Sequence, residues 1–395
     1  MRSLADKIRG LAQPPPEVEE RARDRDLVAP TFTRHGPVQL LERTHGPGWL
    51  QGRVAIAPAR EAKAEILSRL SLDETLQQVD PTRMLFVDTE TTGLHGGAGT
   101  LPFLVGLAWF DQQSLQVCQL FLGQPGEERP LLSMLAERLE AATMLVTFNG
   151  KCFDWPLLKT RFVLNRLAVP RPKPHLDLLH CARRVFKRRL GATRLTDLES
   201  AVLGFRRKGD IDGAQIPAAY FAWLRYGVRS DLEVVLEHNV KDVVSMAAVL
   251  AELCRRYELP SGDDAAADCL SLAQVARRAK DLSRAAELAF LAAERATDPA
   301  VAFEANLLAS RCAERAGDFP RAVDFALRSA AEAKMPWELR AAAHLVLARL
   351  FEHKLKLPSE ALAHARLAVA AEDREVSRRR IARLEAKAPV SANAR

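Results

Sequence analysis

Residues 84–94 read MLFVDTETTGL. Four apolar residues suited to a buried strand are followed by two carboxylates, Asp88 and Glu90. Residues two apart on a strand point to the same face, so both acids would stand together at the strand end. Two anions this close repel unless one takes up a proton or a cation lies between them. A lone D-x-E occurs by chance in many loops. Its meaning therefore depends on what the rest of the chain brings to it.

The second element is TFNGKCFDWPLL (147–158). A short buried strand, MLVTF (144–148), runs into the turn Asn149-Gly150, and Phe153-Asp154 opens an apolar helix. Taken alone, Asp154 is a helix N-terminal acid, favoured there by the macrodipole. It also follows a second buried strand, and such strand ends meet side by side in a sheet. The third element is the helical LEVVLEHNVKDVVSMAAVL (232–250), where His238 and Asp242 are four apart and share a face. Val235, Val243 and Met246 predict that this face borders the core. A His–Asp pair at this spacing is more often a local helix contact, so it counts only in combination.

Around these elements, FLVGLAWF (103–110) and LQVCQLF (115–121) read as strands joined by the turn-like DQQS, and LLSMLAERLEAA (131–142) has helical spacing. After residue 153 the pattern is mostly helical to about 256. The order β-β-β-α-β followed by helices predicts an α/β fold, a mixed sheet with helices on its faces. Before it, 14–26 (PPPEVEERARDRD) reads as a flexible linker or solvated helix, and 30–60, with glycine, proline and short apolar runs such as GWLQGRVAIAP, as a small hairpin.

From about 264 alanine dominates and a motif recurs: KDLSRAAELA (280–289), GDFPRAVDFA (317–326) and KLPSEALAHA (356–365). The aligned Ala285, Ala322 and Ala361 are 37 and 39 residues apart. Small residues at that period predict stacked helical hairpins resembling a tetratricopeptide array, although the period exceeds the standard one of about 34. A plain alanine-rich bundle is the alternative. The expected domains are an N-terminal segment over 1–80, a catalytic α/β domain over 81–258 and helical repeats over 264–385.

The order D-x-E, N-x-x-x-F-D and H-x-x-x-D is far more specific than any part. With DTETTGL, GAGTLPFLVGLAWF, HLDLLHCARRVFKRRL, TDLESAVLGFRR and DIDGAQIPAAYFAWL, the chain resembles the DnaQ-like 3′–5′ exonucleases of the ribonuclease H-like superfamily. Within them it is most similar to the YprB-type proteins, which commonly carry a tetratricopeptide-like tail. The resemblance implies a ribonuclease H-like sheet and a nuclease in which Asp88, Glu90, Asp154 and Asp242 bind metal. Four carboxylates suit two Mg2+ or Mn2+ ions with water completing the shells. One branch of these enzymes places a histidine five positions before the last aspartate, and another a tyrosine four before it. Here His238 stands at the tyrosine spacing. It is assigned as the base or water-orienting residue, since an imidazole titrates near neutral pH. Alternatively it caps the site while metal alone activates water.

The implied substrate is nucleic acid, DNA or RNA. RRVFKRRLGATRL (183–195) and FRRKG (205–209) are the densest basic stretches, and helical spacing could align Arg184, Lys187 and Arg188 along a phosphate backbone. A solvated helix face explains them as well. Thr91, Asn149 and Phe153 lie beside the acids, and Phe153 or Trp155 could stack on a terminal base. Asp177, His175 and His180 are candidates for supporting or phosphate contacts, whereas Asp210 and Asp212 are expected to shape a loop. The second function class is an adaptor with an inactive nuclease fold, and the complete acid set argues against it.

Composition sets the remaining bounds. The 395 residues are 48% hydrophobic and 27% charged with formal net charge +7, compatible with a polyanionic partner but ordinary for solubility. No apolar run approaches the roughly 18–20 residues of a membrane helix, and MRSLADKIRGLAQPPP lacks a signal-peptide core. Six dispersed cysteines form no C-x-x-C pair, which predicts a reducing, cytoplasmic setting without membrane contact. The helical tail is expected to recruit a protein partner.

Overall fold

A mixed seven-stranded sheet organises the first part of the chain in the computed structural model, which describes residues 27–93 and 99–388. The charged stretch 14–26 lies outside these residues, as do 94–98 and 389–395. The strands are β1 (Thr31–Thr33), β2 (Gly36–His45), β3 (Leu50–Gln51), β4 (Val54–Ala55), β5 (Met84–Thr91), β6 (Pro102–Asp111), β7 (Ser114–Phe121), β8 (Met144–Thr147) and β9 (His175–Asp177). Sheet order is β1-β2-β7-β6-β5-β8-β9, and β3 pairs only with β4. Neighbours from β1 to β5 are antiparallel; β5, β8 and β9 are parallel.

The four strands expected at 84–148 form where the apolar runs lie, because both their faces are covered: Met84 to Val87 and Phe103 to Ala108 are all buried. Two features were not expected. His175–Asp177 is a strand, although the sequence after 153 reads as helical. Gly36–His45 joins the main sheet by pairing with β7 from Gln39↔Phe121 to His45↔Leu115.

Helices α1 (Ala64–Ser71), α2 (Glu128–Ala141), α3 (Asp154–Leu164), α4 (Leu178–Leu190), α5 (Leu195–Leu198), α6 (Ile216–Tyr226) and α7 (Ser230–Glu258) accompany the sheet. The core joins Leu85 and Val87 of β5 to Leu132 and Leu135 of α2, Phe162 of α3, and Leu232 and Val235 of α7. Tyr220 of α6 stacks on Phe103 at 4.1 Å between centroids, and its hydroxyl donates to Leu122 O at 3.0 Å, so a buried phenol keeps a partner.

The described chain divides into two compact units: residues up to Arg183 with Ala192–Arg255, and Arg184–Gly191 with the residues from Arg256. The second unit is all-helical: α8 (Ala266–Arg278), α9 (Leu282–Arg295), α10 (Pro299–Ala316), α11 (Phe319–Ala331), α12 (Trp337–Arg349), α13 (Pro358–Leu367) and α14 (Arg374–Lys387), each packed on the next. The recurring motif marks the starts of α9, α11 and α13. Ala285, Ala322 and Ala361 are fully buried, where a larger side chain would push two helices apart. Before each helix a left-handed residue reverses the chain: Lys280, Gly317 and Lys356. Asp281 and Asp318 then cap α9 and α11 by accepting from Arg284 N and Arg321 N. The third copy has Leu357 in that place and no side-chain cap.

Candidate functional site

Three elements carry the four acids to one place. Strand β5 supplies Asp88 and Glu90; Asp154 opens α3 just after β8, its parallel neighbour; Asp242 lies on α7. The ends of adjacent parallel strands therefore meet a helix that covers them. Among the described residues, three of the four acids have a side-chain holder: Asp154, Asp88 and Asp242. Thr89 Oγ1 donates to Asp154 Oδ1. Asn239 Nδ2 donates to Asp88 Oδ2 at 2.8 Å, and Gln119 Nε2 donates to Asn239 Oδ1 at 2.9 Å. These bonds cross a row of partners, Asp88↔Gly106↔Gln119, in three neighbouring strands. Gly106 lets α7 approach: a Cβ there would lie 2.2 Å from Asn239 Oδ1.

The electrostatics are unfavourable as the side chains stand. Burial, then the charges of Asp242, Glu90 and Asp154, pushes Asp88 well above the usual carboxylate range. Glu90 is raised by burial, then by Asp242 and Asp154, with partial relief from Arg207. Asp154 is pushed up to about 6, chiefly by burial, against the hydrogen bond from Thr89. Arg207, paired with Asp242, sets one permanent positive charge against the four acids. Ligand atoms of Glu90, His238 and Asp242 lie within 4.8 Å of one another. A set of hard carboxylate oxygens with one imidazole fits Mg2+ or Mn2+.

Arg207 departs from the expected basic surface stretch at 205–209. Its guanidinium is buried and pairs with Glu199 through two bonds of 2.6 and 2.7 Å, with Asp242, and with Asp210 at 3.3 Å. Burial works against its charge, but Glu199 and Asp242 more than compensate and hold it protonated. Glu199 lies on one turn of π-helix (Glu199–Leu203) and also accepts from Ser245 Oγ at 2.5 Å, which in turn accepts from Gln51 Nε2 at 2.9 Å. Strands β3 and β4 thereby brace the base of the site.

His238 Nδ1 lies 2.8 Å from Asp210 Oδ1, and its Nε2 lies 3.4 Å from Asp242 Oδ2 and 4.0 Å from Glu90 Oε1. Arg207 Nη1 is also 3.3 Å from Nδ1. Since guanidinium has only donors, the shorter contact decides: Nδ1–H donates to Asp210, and Nε2 faces the carboxylates. Burial alone would raise Asp210, but the His238 hydrogen bond and the charges of His238 and Arg207 hold it below its usual range. Asp210 thus reaches the site, where a loop-shaping role was expected. Asp212 does shape the loop, accepting from Ala214 N at 2.9 Å.

The other candidates divide. Asp177 is buried and accepts from Asn149 N, Lys151 N and Leu179 N, fastening the turn that precedes Asp154. Asn149 adopts the left-handed conformation that turn needs. His175 Nε2 contacts Thr147 Oγ1 at 2.8 Å, and burial, then the Lys151 charge, lowers it to about 4; a neutral imidazole at pH 7 is a poor phosphate ligand. His180 lies 4.0 Å from Asp177. Thr91 Oγ1 donates to Gly93 O. Phe153 exposes its ring, whereas Trp155 packs against the core. Arg184, Lys187 and Arg188 fall in the second unit, where Arg188 is engaged by Glu304 through two bonds of 2.8 and 2.9 Å.

The sequence carried a signal for Asn239, an amide on the apolar stripe between Val235 and Val243. It carried none for Arg207, whose partners are brought together only by tertiary folding.

Residues 85–254 match the family model described as the RNase_H superfamily, so this stretch is a ribonuclease H-like domain. The match takes in all four acids and His238. Among curated proteins, the chain is similar to "Uncharacterized protein YprB" of Bacillus subtilis (strain 168), with 37% identity over 191 residues. That alignment covers 48% of this chain and 46% of the relative, less than half of either.

Proposed function

We propose that the ribonuclease H-like domain is a metal-dependent nuclease hydrolysing nucleic-acid phosphodiester bonds, a 3′–5′ exonuclease acting on DNA or RNA. The observation supporting this most is the convergence of Asp88, Glu90, Asp154 and Asp242 in a cluster whose repulsion is unbalanced. Among the described residues, Arg207 forms ion pairs with only one of the four, Asp242. The four acids would hold two divalent cations, Mg2+ or Mn2+. Such ions supply a more acidic attacking water and stabilise charge on the leaving 3′ oxygen.

The chain's own residues orient and transfer protons. Thr89, Asn239 and Arg207 fix the rotamers of Asp154, Asp88 and Asp242. Asp210 sets the tautomer of His238, leaving Nε2 as the acceptor that takes or aligns a proton of the attacking water. Phe153, one residue from Asp154, offers an exposed ring for stacking on the terminal base. The helical unit acts as a tetratricopeptide-like, partner-binding array. Free cysteines and the absence, among the described residues, of a helix long and apolar enough to cross a membrane fit the cytoplasm.

The deciding experiment incubates the full chain with end-labelled single- and double-stranded DNA and RNA, in Mg2+, in Mn2+ and in EDTA. Stepwise release from the 3′ end is expected, abolished by EDTA and by Asp88→Ala or Asp154→Ala. No release with either metal would sink the nuclease reading; internal cuts would replace exonuclease by endonuclease. An inactive adaptor draws support from Arg207, which already neutralises Asp242. Binding without turnover, unchanged by Asp88→Ala, would select it.

A further inference from the structure

The helical unit contains a groove that the nuclease chemistry does not use. It encloses about 730 Å³ against α8, α9, α10 and α12, within the range of roughly 300–1,000 Å³ typical of ligand sites. Leu282, Phe290, Leu308 and Val346 contribute an apolar lining, and Leu282 is 48% exposed. Four arginines share that lining: Arg277, Arg311, Arg315 and Arg349. None has a side-chain hydrogen bond or ion pair among the described residues.

Several other arginines of this unit are committed, although Arg340 Nε is likewise buried without a partner among the described residues. Arg256 pairs with Asp264 and Asp268, Arg284 with Glu287, Arg328 with Asp324, and Arg383 with Glu352. Arg277, Arg315 and Arg349 stand in the last turns of their helices, where a cation is favoured by the helix dipole. That accounts for a charge at each end. It does not account for three such ends and Arg311 converging on one groove with no carboxylate ion-paired to any of them among the described residues.

We propose that this groove docks an acidic, leucine-bearing peptide segment of a partner protein, its apolar side chains on the lining and its carboxylates on the four arginines. Nucleic acid fits less well. Phe290, the one aromatic ring in the groove, is already stacked on Phe325 and lies 3.9 Å beneath the Arg321 guanidinium, which leaves little ring face for a base. Glu287 and Glu314 also line the groove and would repel a continuous phosphate backbone. A peptide can place its acids between them. This inference deepens the partner-binding reading of the helical unit and is independent of the nuclease reading.

The test is fluorescence anisotropy with the full chain and three labelled probes: a twelve-residue peptide of leucine and glutamate, its glutamine-for-glutamate copy, and a twelve-nucleotide oligothymidylate. The glutamate peptide is expected to bind at least about tenfold more tightly than the glutamine copy and to weaken as salt rises. Arg311→Glu with Arg349→Glu should remove at least about tenfold of that affinity while leaving the melting curve and nucleotide release unchanged. Equal binding of the two peptides would overturn acid recognition but leave partner binding standing. Binding of neither would remove both. Tighter, arginine-dependent binding of the oligothymidylate would make the groove a nucleic-acid site and overturn the proposal.

Discussion

Replacing Gly106 with alanine tests the geometry that holds Asp88. The new Cβ would sit 2.2 Å from Asn239 Oδ1 and 2.7 Å from Cγ and Nδ2, far inside the roughly 3.5–4.0 Å of normal contact. Asn239 is fully buried and bonded at both ends of its amide, so it cannot turn aside without releasing Asp88 and Gln119. A lost bond to a charged group costs about 1.5–3 kcal/mol, and overpacking about 1–3 kcal/mol. Against this, alanine recovers roughly 0.5–1 kcal/mol of backbone entropy. The net expectation is about 3 kcal/mol of destabilisation. Urea unfolding followed by tryptophan fluorescence reads it in a Trp337→Phe background, where Trp49, Trp109, Trp155 and Trp223 report on the first unit alone. Asn239→Ala by itself should cost about 2–3 kcal/mol by stranding its partners. With the amide gone, Gly106→Ala should then cost close to nothing, a strongly non-additive pair. A Gly106→Ala change within about 0.5 kcal/mol of the parent, or costs that simply add, would refute the proposed close approach.

Three further outcomes follow from the site. A carboxyl raised in the folded state holds its proton more tightly there than in the unfolded chain, so its contribution to stability falls as pH rises. For Asp154, raised from 3.8 to about 6, the loss runs over that interval and reaches about 3 kcal/mol at most. In EDTA, Asp154→Asn should therefore melt above the parent at pH 7.5 but not at pH 4, and the same difference at both would contradict it. Arg207→Met strands buried Glu199 and Asp242 and should cost about 3–5 kcal/mol in a denaturant titration; under about 1 kcal/mol would show that the cluster does not need its cation. If His238 moves the proton, His238→Ala should lower turnover by about 10²–10⁴ and Asp210→Asn by about 10–100, both with little change in KM. Full turnover in His238→Ala would leave water activation to metal alone.

Much of the sheet was legible because β5, β6, β7 and β8 are apolar runs long enough to stand out from their turns. Strand β9 was not. Its three residues, His-Leu-Asp, carry no periodicity, and it forms because parallel β8 offers it an edge. Asp88, Glu90, Asp154 and Asp242 could be picked out by motif order, since each occupies a fixed place on a strand end or helix. Their holders could not be found that way. Arg207 and Asp210 come from one loop, Glu199 from the π-turn before it and Asp242 from α7, so the ion-pair network exists only once α7 has packed. In sequence the arginine is the middle of three basic residues, Arg206-Arg207-Lys208, indistinguishable from a surface residue.

Strand β2 has a consequence for how this domain can be handled. Seven residue pairs tie it along β7, whose Leu115, Val117, Cys118, Leu120 and Phe121 are buried. Outside it, β1 is only three residues long, a blunt edge of the kind that discourages stray strand pairing. A fragment cut to begin at residue 81 would keep every candidate catalytic side chain yet bare the amide edge of an apolar strand. Such an edge recruits another like itself, and the fragment would aggregate before its chemistry could be measured. Solubility, as well as the brace that Gln51 gives the base of the site, binds the segment before residue 81 to the rest.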